Sequence, residues 1–400
     1  MPGFEMFGAL ERAEVQEVLD TGVLMRYGFD GMRNNIWKAR ELEEALAARM
    51  QTRFAHTVSS GTAALTVAMA SAGIGAGHEV IIPTFTFVAS FEAVLALGAI
   101  PILADIDDTL CLNPEAVEKA ITDKTKAVMP VHMCGSMADL KPLKALCDKH
   151  QLLLIEDACQ AIGGSYEGKP LGSYGDMGCF SFDYVKTITC GEGGGIITNN
   201  KTYYKNADHY SDHGHDHVGK DRGAESHPFL GYNYRISELN AAVGVAQIKR
   251  LDDFLNIQQK HYRILEDSIA QLEGITLRKV PETGVQNYSF LNFFLPTTEI
   301  ARNAHKALLA AGVDACFYWF DNNWHYYREW EHLTQQKSLG ALDEAVTQRI
   351  AESTQKGFPD SDQWMGRTIS CLVKLSWSRE EVDRRAALIQ KVLKNELKGS

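Results

Sequence analysis

The sequence has no closely spaced cysteine pair. Its eight cysteines, Cys111, Cys134, Cys147, Cys159, Cys179, Cys190, Cys316 and Cys371, are scattered, and several stand in apolar runs. Such spacing fits reduced core cysteines. No uninterrupted apolar run reaches the length needed to cross a bilayer. The N-terminus has no basic region followed by an apolar stretch and a cleavage site. Together these absences lead us to expect a cytoplasmic protein with no membrane partner. Positive charge is also in short supply: 40 Lys and Arg stand against 51 Asp and Glu, a formal net charge of −11. That balance argues against nucleic acid as a general partner, but a local anion site needs only a few placed donors. There is no internal repeat and no low-complexity linker.

What is present is a chain of 400 residues, 45% apolar, long enough for a large core in more than one domain. Strand and helix signals alternate from residue 79 onward. Glu79 to Pro83, Ile100 to Ala104, Ala127 to Val131 and Leu152 to Ile155 read as strands. Phe87 to Leu97, Pro114 to Ile121 and Leu140 to His150 read as the helices between them. This is the pattern of an α/β fold with a mostly parallel central sheet, in which ligands collect near the carboxyl ends of the strands. A long helical pattern from about Asp252 leads to a smaller α/β region. There Tyr288 to Leu295 and Ala315 to Phe320 read as strands, and Ser378 to Leu397 as the last helix. The expected division is 1–250 for an N-terminal arm and large domain, and 251–400 for a connecting helix and small domain.

The chain is organised around Gly178 to Asn200, GCFSFDYVKTITCGEGGGIITNN. One lysine, Lys186, stands between two probable strands and against a glycine-rich run. A surface hairpin can carry such residues. The functional alternative is a lysine whose amine condenses with an aldehyde once it has lost its proton. Ser181, five residues upstream, offers a hydroxyl to a phosphate, and the glycines let backbone approach a flat ligand. Gly61, Thr62 and Ala63 open a small-residue helix, either as a plain N-cap region or as an anion site built from helix N–H groups. Asp157 follows the apolar run Leu152 to Ile155, where it can pair with a protonated ring nitrogen, cap a helix or pair with an arginine. Phe87 is a core aromatic or a ring-stacking one. His132 lies near a substrate or satisfies a turn, and Gln160 bonds a ligand oxygen or caps backbone.

Two further stretches carry chemistry-bearing residues. His209, His213, His215, His217 and His227, with Asp212, Asp216 and Asp221 between them, lack a sharp metal signature. A substrate-facing loop is the preferred reading, and no metal is expected. Trp319, Trp324, Tyr326, Tyr327 and Trp330 cover a polar substrate or pack a domain junction. Asn233 and Arg235 reach an anion or a neighbouring subunit, or serve turn geometry and an ion pair.

In this order the motifs resemble the DegT/DnrJ/EryC1/StrS family of sugar aminotransferases. The matching stretches are SSGTAALTVAM, HEVIIPTFTFVAS, TKAVMPVHMCG, the long run LLLIEDACQAIGG through GEGGGIITNN, and GYNYRISELNAAVGVAQIKRLD. They cover most of residues 57–252. The resemblance implies the aspartate-aminotransferase-like fold (fold type I) and pyridoxal 5′-phosphate as cofactor. It implies Lys186 as the cofactor-binding and catalytic lysine, Asp157 as the acid on the ring nitrogen and Phe87 as the stacking ring. Gly61, Thr62, Ala63 and Ser181 would bind the phosphate and Gln160 would lie beside the ring hydroxyl. Asn233 would come from the other subunit of a homodimer. Two features depart from the usual pattern: Asp183-Tyr184 stands where many members have histidine, and Lys186 is retained where related dehydratases have histidine. The implied reaction moves an amino group from L-glutamate to an oxidised sugar. The favoured acceptor is C8 of 8-oxo-3-deoxy-D-manno-octulosonate, giving an amino sugar of lipopolysaccharide, with His132, His215 and Trp319 as substrate candidates. The alternatives are a nucleotide-linked 3-keto or 4-keto hexose aminotransferase and a sugar dehydratase.

Overall fold

The computed structural model describes residues 2–219, 223–335 and 337–398. Asp221 therefore lies outside the described residues. Seven strands form the main sheet, in the order Phe54–Val58, Gly194–Thr198, Met177–Ser181, Leu153–Asp157, Thr125–Val128, Glu79–Pro83, Ile100–Ala104. Only Gly194–Thr198 runs against its neighbours; the other six strands are parallel. The parallel strands are apolar on both faces because helices cover both sides. Ile81, Val128, Leu154 and Ile155 are fully buried. The helix Gly61–Ser71 is made of small and apolar residues and is buried along nearly its whole length.

A second sheet of four antiparallel strands, Thr276–Leu277, Phe290–Phe294, Thr368–Leu372 and Cys316–Phe317, packs its own core with the helices Leu251–Ile269, Thr298–Ala310 and Arg379–Lys398. The strand expected over Ala315 to Phe320 stops at Phe317, because Trp319–Asp321 turns into a 3₁₀ helix. From there the chain crosses back. Trp319, Tyr326, Tyr327, Trp330 and Phe358 join the core of the main sheet. The Thr86 N–H donates to the His325 carbonyl and the Val88 N–H to the Trp324 carbonyl, at 3.0 and 2.9 Å. This return places residues 324–325 over the strand ends of the main sheet. Among the described residues no helix is long and apolar enough to cross a membrane.

Candidate active site

A cleft of about 260 Å³ opens at the carboxyl ends of the parallel strands. Strand Leu153–Asp157 ends in Asp157, strand Met177–Ser181 ends in Ser181, the turn after Glu79–Pro83 supplies Thr86 and Phe87, and the helix Ala89–Leu95 that follows supplies Ser90. Gly61 and Thr62 come from the start of the buried helix, and Lys186 from the loop between two strands. Gly61, Thr62, Phe87, Asp157, Gln160, Ser181 and Lys186 thus line one wall system, although they span 125 positions of sequence.

Asp157 is 4% exposed, and its orientation is set by two donors. Ser90 Oγ donates to Oδ2 at 2.8 Å, and the Cys159 N–H donates to Oδ1 at 3.1 Å. Thr86 Oγ1 lies 2.7 Å from Ser90 Oγ and extends the relay. Cys159 also lines the cleft, but burial, then the Asp157 charge, pushes its thiol well above the usual range. It therefore stays protonated and is a poor nucleophile.

At the other end, Ser60 Oγ accepts the Ala63 N–H at 3.0 Å, so Ser60 is the N-cap and Ala63 faces inward, 4% exposed. Ala63 is not part of the cleft wall. The Gly61 and Thr62 N–H groups remain at the opening, beside the Ser181 hydroxyl. A Cβ on Gly61 would lie 2.7 Å from the Ser181 Cβ, so only glycine lets this backbone meet that hydroxyl. Helix N–H groups and a hydroxyl here suit an anion of phosphate type.

Gln160 caps local backbone, its Oε1 accepting the Cys134 N–H at 2.9 Å, and the residue lines the cleft. Phe87 is partly exposed and stacks on Trp324, with ring centroids 5.7 Å apart and planes 5° from parallel. His325 closes the same side. Its Nδ1 lies 3.0 Å from Asn322 Oδ1. Burial, then the Lys186 charge, pushes its pKa down to about 3. The ring is neutral, so Nδ1–H donates to Asn322 and Nε2 is left as an acceptor.

Besides Ala63, four expected residues lie off the cleft wall. His132 is fully buried, with Nε2 2.9 Å from Glu156 Oε2, and does not reach the cleft. Side chains alternate along extended backbone. Val131 and Asp157 pair across neighbouring segments of backbone and face the cleft, so His132 and Glu156 face the other side together. Trp319 is 4% exposed and packs behind His325, with ring centroids 4.3 Å apart. His215 is held by Glu225, with Nδ1 at 2.8 Å from Oε2. Asn233 is exposed and pairs with Asp212 rather than lining this cleft. Among the described residues no group of three or more His, Cys, Asp or Glu side chains is arranged to hold a metal ion. Ser90, Thr86 and His325 had no signal in sequence, because each matters only through a contact made by folding.

The chain matches the DegT/DnrJ/EryC1/StrS aminotransferase family over residues 7–390. It belongs to that family. It is 36% identical over 290 residues to the GDP-perosamine synthase of Escherichia coli O157:H7, covering 72% of this chain and 76% of that protein. It is 39% identical over 257 residues to the L-glutamine:2-deoxy-scyllo-inosose aminotransferase of Streptomyces kanamyceticus, covering 62% of this chain and 60% of that one. Among solved structures, an aminotransferase from Psychrobacter cryohalolentis superposes with a TM-score of 0.83 at 27% identity over 98% of both chains. A 3-amino-5-hydroxybenzoic acid synthase does so at 0.81 and 28% identity over 97% of both. DegT/DnrJ/EryC1/StrS members are pyridoxal-phosphate-dependent transaminases, and this chain is an enzyme of that kind. The cleft fits the group: an amine, a buried carboxylate, an aromatic face and an anion cup stand around one space.

Proposed function

We propose that the enzyme moves an amino group from L-glutamate to an oxidised sugar at this cleft. The convergence of Lys186, Asp157, Ser181 and Thr62 around one space carries the reading. Pyridoxal phosphate, when bound, supplies an electron sink for the carbanion formed at the substrate carbon. Lys186 Nζ is the nitrogen that bonds the cofactor aldehyde. The same nitrogen, when not engaged with the cofactor, would take the proton from the donor Cα and would deliver one to the acceptor carbon. Asp157, oriented by Ser90 and the Cys159 N–H, holds a proton on the ring nitrogen. Ser181 and the Gly61–Thr62 helix start bind the phosphate. Phe87 stacks on the ring. Retention of the lysine favours transamination over dehydration.

The acceptor we put first is the C8 aldehyde of 8-oxo-3-deoxy-D-manno-octulosonate, which would yield the 8-amino sugar of lipopolysaccharide. His325 supports a polyhydroxy chain, because it lines the cleft and offers a neutral acceptor to hydroxyls. A second reading, a nucleotide-linked keto-hexose, is favoured by the relatives named GDP-perosamine synthase. We also read Asn233 as reaching the phosphate side of the partner subunit's cleft in a homodimer. It is exposed, as are Leu230 and Tyr232 in the same segment. L-glutamate should bleach the visible band of the purified holoenzyme, and one acceptor should restore it. Recovery with the octulosonate aldehyde supports the first reading. Recovery only with a nucleotide keto-hexose replaces it with the second.

A further inference from the structure

The loop that carries Lys186 is held from outside the main sheet by the first residues of the chain. Gly3–Met6 forms a single 3₁₀ turn. The Gly3 N–H donates to the carbonyl oxygen of Lys186 itself at 2.8 Å. The Phe4 ring stacks on Tyr184, with centroids 4.2 Å apart and planes 5° from parallel. Tyr184 is one of the two residues by which this loop departs from the usual family pattern, and nothing in the cleft accounts for it.

The turn is itself fixed from behind. Gln247, fully buried on the helix Glu238–Lys249, donates through Nε2 to Glu11 Oε1 at 2.8 Å and to the Gly3 carbonyl at 3.4 Å. Its Oε1 accepts the Thr189 N–H at 3.4 Å, three residues beyond the lysine. Arg250 donates to the Met6 carbonyl and to Glu11 at 2.7 and 2.8 Å. Gly3 is the tight point of this assembly. A Cβ there would lie 2.2 Å from Gln247 Oε1 and 2.7 Å from the Thr187 carbonyl oxygen. The amide is held on two sides and the carbonyl is backbone, so neither can move aside cheaply.

We propose that Gly3–Met6 is a clasp that positions Lys186. By fixing the carbonyl of Lys186 and the ring of Tyr184, it holds the loop with the lysine side chain toward the cleft. An amine on an untethered loop would spend part of its time elsewhere, and apparent cofactor affinity falls with that fraction. Gly3, Phe4 and Gln247 are therefore positioning residues and touch no reactant. The inference rests on Lys186 being the cofactor lysine.

The test compares Gly3→Ala, Phe4→Ala and Phe4→Tyr with the parent enzyme. Amide hydrogen exchange of residues 183–190 in the cofactor-free protein is read first. Pyridoxal phosphate binding and the pH profile of its visible band are read next. Gly3→Ala should speed exchange in that loop and weaken cofactor binding about 10-fold, the size expected for one lost hydrogen bond plus local strain. Exchange in the strand Phe290–Phe294 should not change. Phe4→Ala should act about 3-fold in the same direction, and Phe4→Tyr, which keeps the ring, should restore the parent values. Should Gly3→Ala fail to fold, the Phe4 pair decides alone, because that ring is partly exposed. Unchanged loop exchange and unchanged cofactor binding in Phe4→Ala would overturn the clasp. A wrong lysine assignment shows differently, as a Lys186→Ala protein that still acquires the visible band.

Discussion

Two regions of this chain carry dense sets of chemistry-bearing residues, and they are put together differently. The histidine-rich segment gathers its groups from one stretch of sequence, and the groups engage one another. His215 pairs with Glu225, His217 lies 3.8 Å from both Asp208 and Asp212, and Tyr27 stacks on the His217 ring while donating to Asp208. The Lys186 cleft draws its residues from several strand ends and helix starts of the main sheet and from His325 on the crossing segment. There the supporting groups bond to one another, while Lys186 Nζ has no ion pair among the described residues. Residue type alone does not make a site. A site needs groups brought from separate elements to one space, with some of their bonding capacity left for a ligand.

Substitutions can break or sharpen that contrast. The largest effect is expected from Lys186→Ala, which should lower turnover by at least about 10⁴-fold, the scale of a lost nucleophile that is also the proton carrier. Asp157→Asn should follow, with roughly a 10³-fold loss in both half-reactions, as expected when a charge that stabilises the reacting ring is removed. Single-turnover absorbance measurements read both. Next comes acid sensitivity, which both regions should share. Burial pushes His325 down to about 3 and His56, beside Ser211 and Asp208, down to about 4, both from 6.5. Their folded values are below the unfolded one, so the unfolded chain binds more protons in this window. The stability is fully present above pH 6.5 and is lost as pH falls toward 4. Urea melts at pH 7 and 4.5 should differ by on the order of 2 kcal/mol for each buried histidine. His56→Gln and His325→Gln should each flatten that slope. The smallest effect should come from His215→Ala, with less than about a 3-fold change in the glutamate half-reaction, because His215 is bound to Glu225 and does not line the cleft. A larger change would bring the histidine segment into the chemistry and end the contrast.

How far the sequence could be read follows the same division. Leu140–His150 and Glu79–Pro83 are found where their apolar spacing puts them, and Asp157 ends its strand as expected. Local pattern decides such features, because period and capping are properties of neighbouring residues. The strand Phe54–Val58 and the reversed direction of Gly194–Thr198 were not legible, since pairing partners are set by the sheet rather than by either segment. His132 shows the limit most clearly. Its position at a strand end was legible, but the face it took was decided by one step of alternation, which gave Val131 the cleft and His132 the Glu156 carboxylate. His325 was out of reach for another reason. It is more than 130 residues from Lys186, and only the chain's return from the second sheet brings the two to one cleft.

The central claim is that one particular amine holds the cofactor. Borohydride reduction of the holoenzyme, followed by peptide mass spectrometry, tests it most directly. A single reduced pyridoxyl adduct is expected, on Lys186. An adduct on another lysine, with residues 178–200 unmodified, would contradict it.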